Sequence, residues 1–267
     1  MGLSLEDLER TLQEALLLVK RVREAELLHR IQKSGFVAFR AKDIIRLIGG
    51  SRSDATKLLR RLLREGVVVR VARGIYALAS ETSDPLTIAC HAVWPSYVGL
   101  RTALVVHGWL SEPIDRIFLL TTARTRLRQI CGREVVTVRI RDSLFFGYRP
   151  LNHGYVSDPE KTLIDCLLFP RYVPLLTVWR ILCRAYRDSR LWLRLIDYAL
   201  YVNKPSLNRR LGYLLERAGL ASERVLCTLR RRIGRGFVRL DPHRPPAGRY
   251  DRRWLLDVNV ELPVEEA

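Results

Sequence analysis

Between Gly35 and Leu78 the period of the apolar positions changes from helical to alternating. Lys42 to Ile48 sets Ile44, Ile45, Leu47 and Ile48 at helical intervals and stops at Gly49-Gly50, a pair that lets the chain turn sharply. The next run puts Ala55, Leu58, Leu59, Leu62 and Leu63 on one helical face, with Ser51 or Ser53 placed to accept backbone N–H groups at its start. Beyond Gly66, Val67–Val71 and Ile75–Leu78 are β-branched and apolar runs split by Ala72-Arg73-Gly74, which predicts a hairpin. With a short strand ahead of the first helix, this order predicts a winged helix-turn-helix.

Upstream, Ser4 to Lys33 reads as one long helix or two consecutive ones, with Ser4 and Asp7 as a capping pair. Leu5, Leu8, Leu12, Ala15, Val19 and Val22 form a seam that could pair with a second copy. Leu16, Leu17, Leu27, Leu28 and Ile31 could instead pack on the winged helix. The polar stretch ending at Asp84-Pro85 predicts a boundary between domains at 1–82 and 83–267. Downstream, Leu86–Val93 and Leu100–His107 read as helices. Arg116–Thr121, Glu134–Ile140, Leu144–Phe146 and Gly154–Ser157 read as strands. Glu160–Leu168, Leu175–Tyr186, Leu191–Tyr201, Ser206–Ala218 and Glu223–Arg232 read as helices, and Trp254–Val260 as a last strand. The expected fold class is α+β, an N-terminal winged helix-turn-helix followed by an α/β domain with a helical C-terminal portion.

Charge sharpens the picture. The 267 residues carry a formal net charge of +18, which calls for an anionic partner. Residues 1–82 hold a net +6 and residues 83–267 a net +12, and 40 of the 46 basic residues are arginine, the better fork for phosphate. Within Gly35–Ala79 ten basic residues face three acids and concentrate on the second helix and the hairpin, where such a fold meets a groove and its phosphates. A helical hairpin with an ordinary basic surface is the plainer alternative.

Other chemistry is sparse. The five cysteines are scattered with no paired spacing, which argues against disulfides and zinc, and four lie in apolar surroundings as small core residues. No signal peptide is recognised and no apolar run reaches the ~18 residues of a membrane span, so a reducing cytoplasm is expected. Gly49-Gly50-Ser51 with Asp54 superficially resembles the phosphate-cradling turn of nucleotidyltransferases, but the acid pair such chemistry needs is missing, and an inter-helix turn explains it. Asp158, Glu160, Lys161 and Asp165 look like a constellation, yet Asp158 as N-cap, Pro159 at the first helical position and Glu160 at the positive helix end form an ordinary helix start. His107 before Gly108 reads as a helix-end residue stabilised by the carbonyl dipole. Arg224–Arg253 holds ten arginines with Phe237, Tyr250 and Trp254 interspersed, a mixture suited to single-stranded RNA or DNA or to an acidic partner.

Several segments together carry a family likeness: RGIYAL closing the hairpin at Leu78, SYVGLRTALVVHGW at Ser96–Trp109, and FLLTT at Phe118–Thr122. GYVSDPEKTLIDCL at Gly154–Leu167, NRRLGYLLERAGL at Asn208–Leu220 and RRWLLDVNV at Arg252–Val260 follow in order. The ordered set resembles the AbiEi antitoxins and related transcriptional regulators of type IV abortive-infection toxin–antitoxin systems, over roughly Gly35 to the C-terminus. That resemblance implies an autorepressor that binds inverted repeats in its operon and a C-terminal domain that neutralises a nucleotidyltransferase-like toxin. The long N-terminal helix and the arginine-rich tail depart from the family pattern.

The reading is a non-enzymatic regulator without cofactor, metal site or catalytic residue. Its expected partner is double-stranded operator DNA. Further expected partners are a nucleotidyltransferase-like toxin or its target, RNA, and a second copy of the chain. The expected recognition-helix residues are Arg52, Ser53, Thr56, Lys57, Arg60, Arg61 and Arg64, with Arg70 and Arg73 on the wing. Arg230, Arg231, Arg232 and Arg235 are candidates for nucleic-acid or partner contact. A solitary regulator, an RNA-binding adaptor and an enzyme acting on nucleic acid are the alternatives.

Overall fold

The computed structural model describes residues 25–263 other than 32, 50, 82–83, 126 and 186–190. The Leu5–Val22 seam, the Ser4 cap, Leu16 and Leu17 lie outside the described residues. The fold is α+β, and the chain divides into two units, Met1–Ala92 with Gln129–Gly132, and Val93–Arg128 with Arg133–Ala267.

In the first unit, α1 (Ala41–Ile48) starts where the Arg40 amide donates to the Asp43 carboxylate at 2.8 Å. It stops at Gly49, whose φ of +72° lies in the region that favours glycine and whose amide donates to the Ile45 carbonyl at 2.9 Å. Helix α2 (Arg52–Arg64) follows, then β1 (Val68–Ala72) and β2 (Ile75–Leu78), antiparallel from Val68 opposite Leu78 to Ala72 opposite Ile75. The short strand expected ahead of α1 is a single bridge: Phe39 and Tyr76 exchange backbone hydrogen bonds at 2.8 and 2.9 Å. Leu27, Ile31, Phe39, Ile44, Ala55, Leu59, Leu62, Val68 and Leu78 make one buried cluster, with Leu28 packed against it. The segment before the winged helix therefore does pack on it. Helix α3 (Pro85–Ala92) begins where the Asp84 carboxylate accepts the Leu86 amide at 3.0 Å. The excursion at 129–132 joins this unit through the Cys131 amide, which donates to the Val71 carbonyl at 3.0 Å.

The second unit is built on a mixed sheet of β3 (Ser96–Val98), β4 (Arg116–Thr121), β5 (Arg133–Arg139), β6 (Tyr148–Leu151) and β7 (Gly154–Ser157). Within the unit the order is β5–β4–β3–β7–β6. The β4–β5 and β3–β7 pairs are parallel, while β3–β4 and β6–β7 are antiparallel. Helix α4 (Leu100–Val106) follows β3, and α5 (Pro159–Leu168), buried almost all round, follows β7. Four further helices, α6 (Leu175–Ala185), α7 (Leu191–Val202), α8 (Pro205–Arg217) and α9 (Glu223–Arg230), complete the helical portion.

Two expectations are corrected here. Leu144–Phe146 is not a strand: Asp142–Leu144 forms a tight 3₁₀ turn, with the Phe145 amide donating to the Asp142 carbonyl at 3.0 Å. Its aromatics suit a strand by propensity, but Leu144 is buried and the Phe145 ring packs 5.4 Å from that of Tyr97, contacts that favour the turn. Trp254–Val260 is not one strand either, since only Leu256–Asp257 (β10) pairs, between β9 (Tyr250–Asp251) and β8 (Val238–Arg239). Trp254 instead is fully buried and its amide donates to the Asp251 carboxylate at 2.8 Å. The five cysteines are thiols; Cys90 and Cys166 are core residues, whereas Cys131, Cys183 and Cys227 are half-buried. No described helix is long and apolar enough to cross a membrane.

The seat of Trp254 depends on a missing side chain. A Cβ on Gly212 of α8 would lie 2.1 Å from the Trp254 indole, so any larger residue must displace the ring from its seat. Gly212→Ala should lower stability by about 2–3 kcal/mol, read as a reduced urea midpoint. An unchanged midpoint would show that the indole has room to shift.

Candidate nucleic-acid interface

The geometry of α2 follows from its start. Ser51 accepts the Asp54 amide at 3.2 Å, and the Asp54 carboxylate accepts the Ser51 amide at 3.2 Å and its hydroxyl at 2.7 Å. This reciprocal cap satisfies two backbone donors and ties down the acid of the first turn. Between the two serines offered by the sequence, the structure selects Ser51.

From that start, 3.6 residues per turn sets every azimuth. Ala55, Leu59 and Leu62 point into the core. Ser53, Lys57, Arg60 and Arg64, at spacings of four, three and four, fall on the opposite side, and all four are exposed. Arg52, also exposed, and Thr56, half-buried, flank this stripe on one side, with half-buried Arg61 on the other. The Thr56 hydroxyl donates to the Arg52 carbonyl at 2.8 Å, so in the free protein it is engaged with its own helix. Leu58 and Leu63, expected on the buried face, are only partly buried at its margins.

On the hairpin, Arg73 is exposed at the tip beside Gly74. Arg70 is exposed opposite Tyr76, and its Nε donates to the Ala72 carbonyl at 3.3 Å across the irregularity in β1. Phe39 stacks on Tyr76 at 6.4 Å between centroids, bracing the base of the wing. The expected helix and wing residues thus lie together in the first unit, while Arg230, Arg231, Arg232 and Arg235 belong to the second. There Arg230 pairs with Glu223 at 3.0 Å and Arg232 donates to the Leu200 carbonyl at 3.1 Å, whereas Arg231 and Arg235 are exposed.

In the acidic constellation of the second unit Asp158 and Asp165 are engaged through both oxygens, whereas one Glu160 carboxyl oxygen is buried without a hydrogen-bond partner. Asp158 caps α5 by accepting the Lys161 amide at 2.9 Å, and its other oxygen accepts from Arg194 and from Tyr198, each at 2.8 Å. Lys161 and Asp165 are both 0% exposed and form an ion pair. The Tyr97 hydroxyl accepts from the Lys161 ammonium at 2.9 Å and donates to Asp165 at 3.0 Å. Burial pushes the Asp165 carboxyl up despite the adjacent ammonium, and burial, reinforced by Asp165, holds the Tyr97 phenol well above its usual value. Glu160 is buried in the first turn of α5 and its carboxyl is likewise raised by burial. A lysine with no solvent exposure was not expected; the one signal was that TLIDCLL leaves α5 no polar side beyond Asp165. Among the described residues no group of three or more acidic, His or Cys side chains could hold a metal ion.

His107 also departs from its expected role. It does follow the last residue of α4, but its Nε2 contacts the Ser157 carbonyl at 2.9 Å, which requires a proton there, and burial lowers its pKa. It is a neutral donor linking α4 to β7 and not a helix-end cation.

With the geometry in place, residues 26–79 match the family described as "Transcriptional regulator, AbiEi antitoxin". The resemblance read from the sequence holds over that segment. No curated protein matches the chain. Among solved structures, the crystal structure of the RV2827C protein from Mycobacterium tuberculosis is similar with a TM-score of 0.55 at 17% identity, over 87% of this chain and 89% of that one. At that identity the likeness concerns the fold alone.

The lowered His107 pKa fixes the sign of a pH effect. Above the ordinary value of 6.5 neither folded nor unfolded chain binds this proton, so the contribution is complete. Below it the unfolded chain takes up the proton more readily, and stability is lost as pH falls. His107→Gln, which keeps a neutral donor, should flatten the decline in melting temperature between about pH 8 and about pH 5. A decline as steep as that of the original chain would assign it to other groups.

Proposed function

We propose that this chain is a sequence-selective, double-stranded-DNA-binding transcriptional regulator of the AbiEi type. The observation that carries the reading is the exposed Ser53, Lys57, Arg60 and Arg64 stripe on a helix whose opposite face is locked into the core. A helix of this kind enters a major groove with its first turns toward base edges. In this reading Arg52, Ser53, Thr56 and Lys57 address bases. Arg60, Arg61 and Arg64, with Arg70 and Arg73 of the wing, hold phosphates. Thr56 would exchange its backbone bond for a base contact.

The family match supports a regulator role. On the resemblance we extend it to autorepression of its own operon at inverted repeats by a homodimer, to neutralisation of a nucleotidyltransferase-like toxin, and to work in the cytoplasm without a cofactor. Residues 1–82 would carry repression and residues 83–267 neutralisation. The match is confined to 26–79, so it bears on repression more directly than on neutralisation, and a solitary regulator is the reading where no toxin gene adjoins. A non-enzymatic chain is supported by the saturation of Asp158 and Asp165, which leaves neither carboxylate an oxygen without a partner.

Arg60→Ala with Arg73→Ala removes two surface charges and no core volume, so folding should change by no more than ~0.5 kcal/mol. Affinity for the chain's own promoter should fall about tenfold or more. The log–log salt slope should become shallower by about 0.9 for each phosphate that the variant no longer neutralises. Fluorescence anisotropy with promoter and random duplexes, and circular dichroism on the same samples, provide the measurement. Equal affinity for the two duplexes at every salt concentration would remove the sequence-selective reading.

A further inference from the structure

The arginine-rich C-terminal stretch is not a loose tail. Arg209 and Arg210 on α8 are buried beneath it. The Arg209 guanidinium donates to the Arg235 carbonyl at 2.9 Å, and that of Arg210 to Leu240 at 2.9 Å and Arg239 at 3.3 Å. A second strut is Asp257, which accepts the amides of Ala247 at 3.1 Å and Arg249 at 3.2 Å. Asn259 adds a third, donating to the carbonyls of Asp241, Arg244 and Pro245 at 2.8, 3.1 and 3.1 Å. The backbone on either side of Phe237 and Tyr250 is thereby fixed in advance.

On this support two aromatic rings face solvent. Phe237 is 46% exposed and Tyr250 60%, and they meet edge-to-face at 4.9 Å. Aromatics held out in water invite a ligand with flat apolar faces. Beside Tyr250 opens a groove of about 600 Å³ lined by Tyr213, Arg217, Arg249, Val258 and Leu262. Its acids do not close it to an anion. Asp251 gives one oxygen to the Trp254 amide, and Glu261, 88% exposed, faces Arg249 at 3.5 Å in a pair so solvated that it contributes little, while Arg217 and Arg249 stand against them in the same groove. Arg235 and Arg239, both exposed, bracket Phe237 in the chain, and Arg249 and Arg252 bracket Tyr250.

We propose that this platform binds single-stranded nucleic acid, with bases stacked on Phe237 and Tyr250 and the backbone paired with Arg235, Arg239 and Arg249. Rings and guanidinium groups in alternation match the alternation of bases and phosphates in a single strand, whereas a duplex keeps its base faces stacked inside and offers nothing to the rings. The site is separate from the winged helix and stands or falls independently of the reading given for it.

The test is fluorescence anisotropy of the full chain with labelled oligo-dT and oligo-rU twelve-mers and with the promoter duplex. Phe237→Ala with Tyr250→Ala should weaken oligonucleotide binding about tenfold or more, leave promoter binding unchanged, and leave the melting temperature near that of the original chain. Phe237→Tyr with Tyr250→Phe, which keeps both rings, should restore the oligonucleotide affinity. Arg60→Ala with Arg73→Ala should weaken promoter binding and spare the oligonucleotide. A difference between oligo-dT and oligo-rU tells DNA from RNA as the preferred strand. The proposal is overturned if the double alanine variant binds the oligonucleotide as tightly as the original chain, or if the Arg60/Arg73 variant no longer binds it. An equal weakening of promoter duplex binding on removing the rings, or displacement of the oligonucleotide by poly-glutamate as readily as by unlabelled strand, would overturn it too.

Discussion

The opposition of two faces on one thirteen-residue helix governs the N-terminal unit. Burying a leucine side chain contributes roughly 1.5–3 kcal/mol, and Leu59 and Leu62, joined by Ala55, are held on one side of α2 by Ile44, Phe39 and Val68. Rotation of the helix by a quarter turn would drag Arg61 or, in the other sense, Thr56 into that cluster, at the cost of desolvating a charge or a hydroxyl. The apolar side therefore dictates where the cations point. The Ser51–Asp54 cap sets where the count of turns begins, and the turn at Gly49 sets the approach of α1 to α2.

Arginine and lysine are used in two physically distinct ways. On α2 and the wing all but half-buried Arg61 stand in solvent, where they cost little to maintain. In the second unit Lys161, Arg209 and Arg210 are buried, and each is held by specific acceptors: the Asp165 carboxylate and the Tyr97 hydroxyl for the lysine, backbone carbonyls for the arginines. Lys161 also lies over the Phe146 ring, 5.0 Å from its centroid. Removing one partner of such a set would leave a charge unpaired inside the protein, which is why they act as joints between elements. The same residue type thus forms an exposed basic surface in one unit and internal fastening in the other.

The constellation around Asp158 shows how such fastening can resemble chemistry. Three carboxylates, a lysine, two tyrosines and a nearby histidine gather around the start of α5, and several have pKa values displaced by burial. Every oxygen of Asp158 and Asp165 accepts a hydrogen bond from a protein donor, however, so the displacement records burial.

The winged helix was legible in the chain because its signals are local. The period of Ile44, Leu59 and Leu62, the Gly49 stop, the serine cap and the β-branched runs around Arg73-Gly74 all act within a few residues of one another, and they predict α1, α2 and the hairpin closely. The stripe on α2 followed from the same period. In the second unit the long strands and the five helices beyond Ser157 were legible for the same reason. Only the tertiary structure revealed β3, whose three residues are too few to show alternation, and β6, where Pro150 on an exposed strand hides the pattern. It alone turned Leu144 into a 3₁₀ corner, buried Lys161, made His107 a neutral link, and gathered Arg209, Arg210, Asp257 and Asn259 beneath Phe237 and Tyr250. Those outcomes depend on partners far off along the chain, and burial by distant neighbours, unlike helical period or a cap, leaves no mark on the local order of residues.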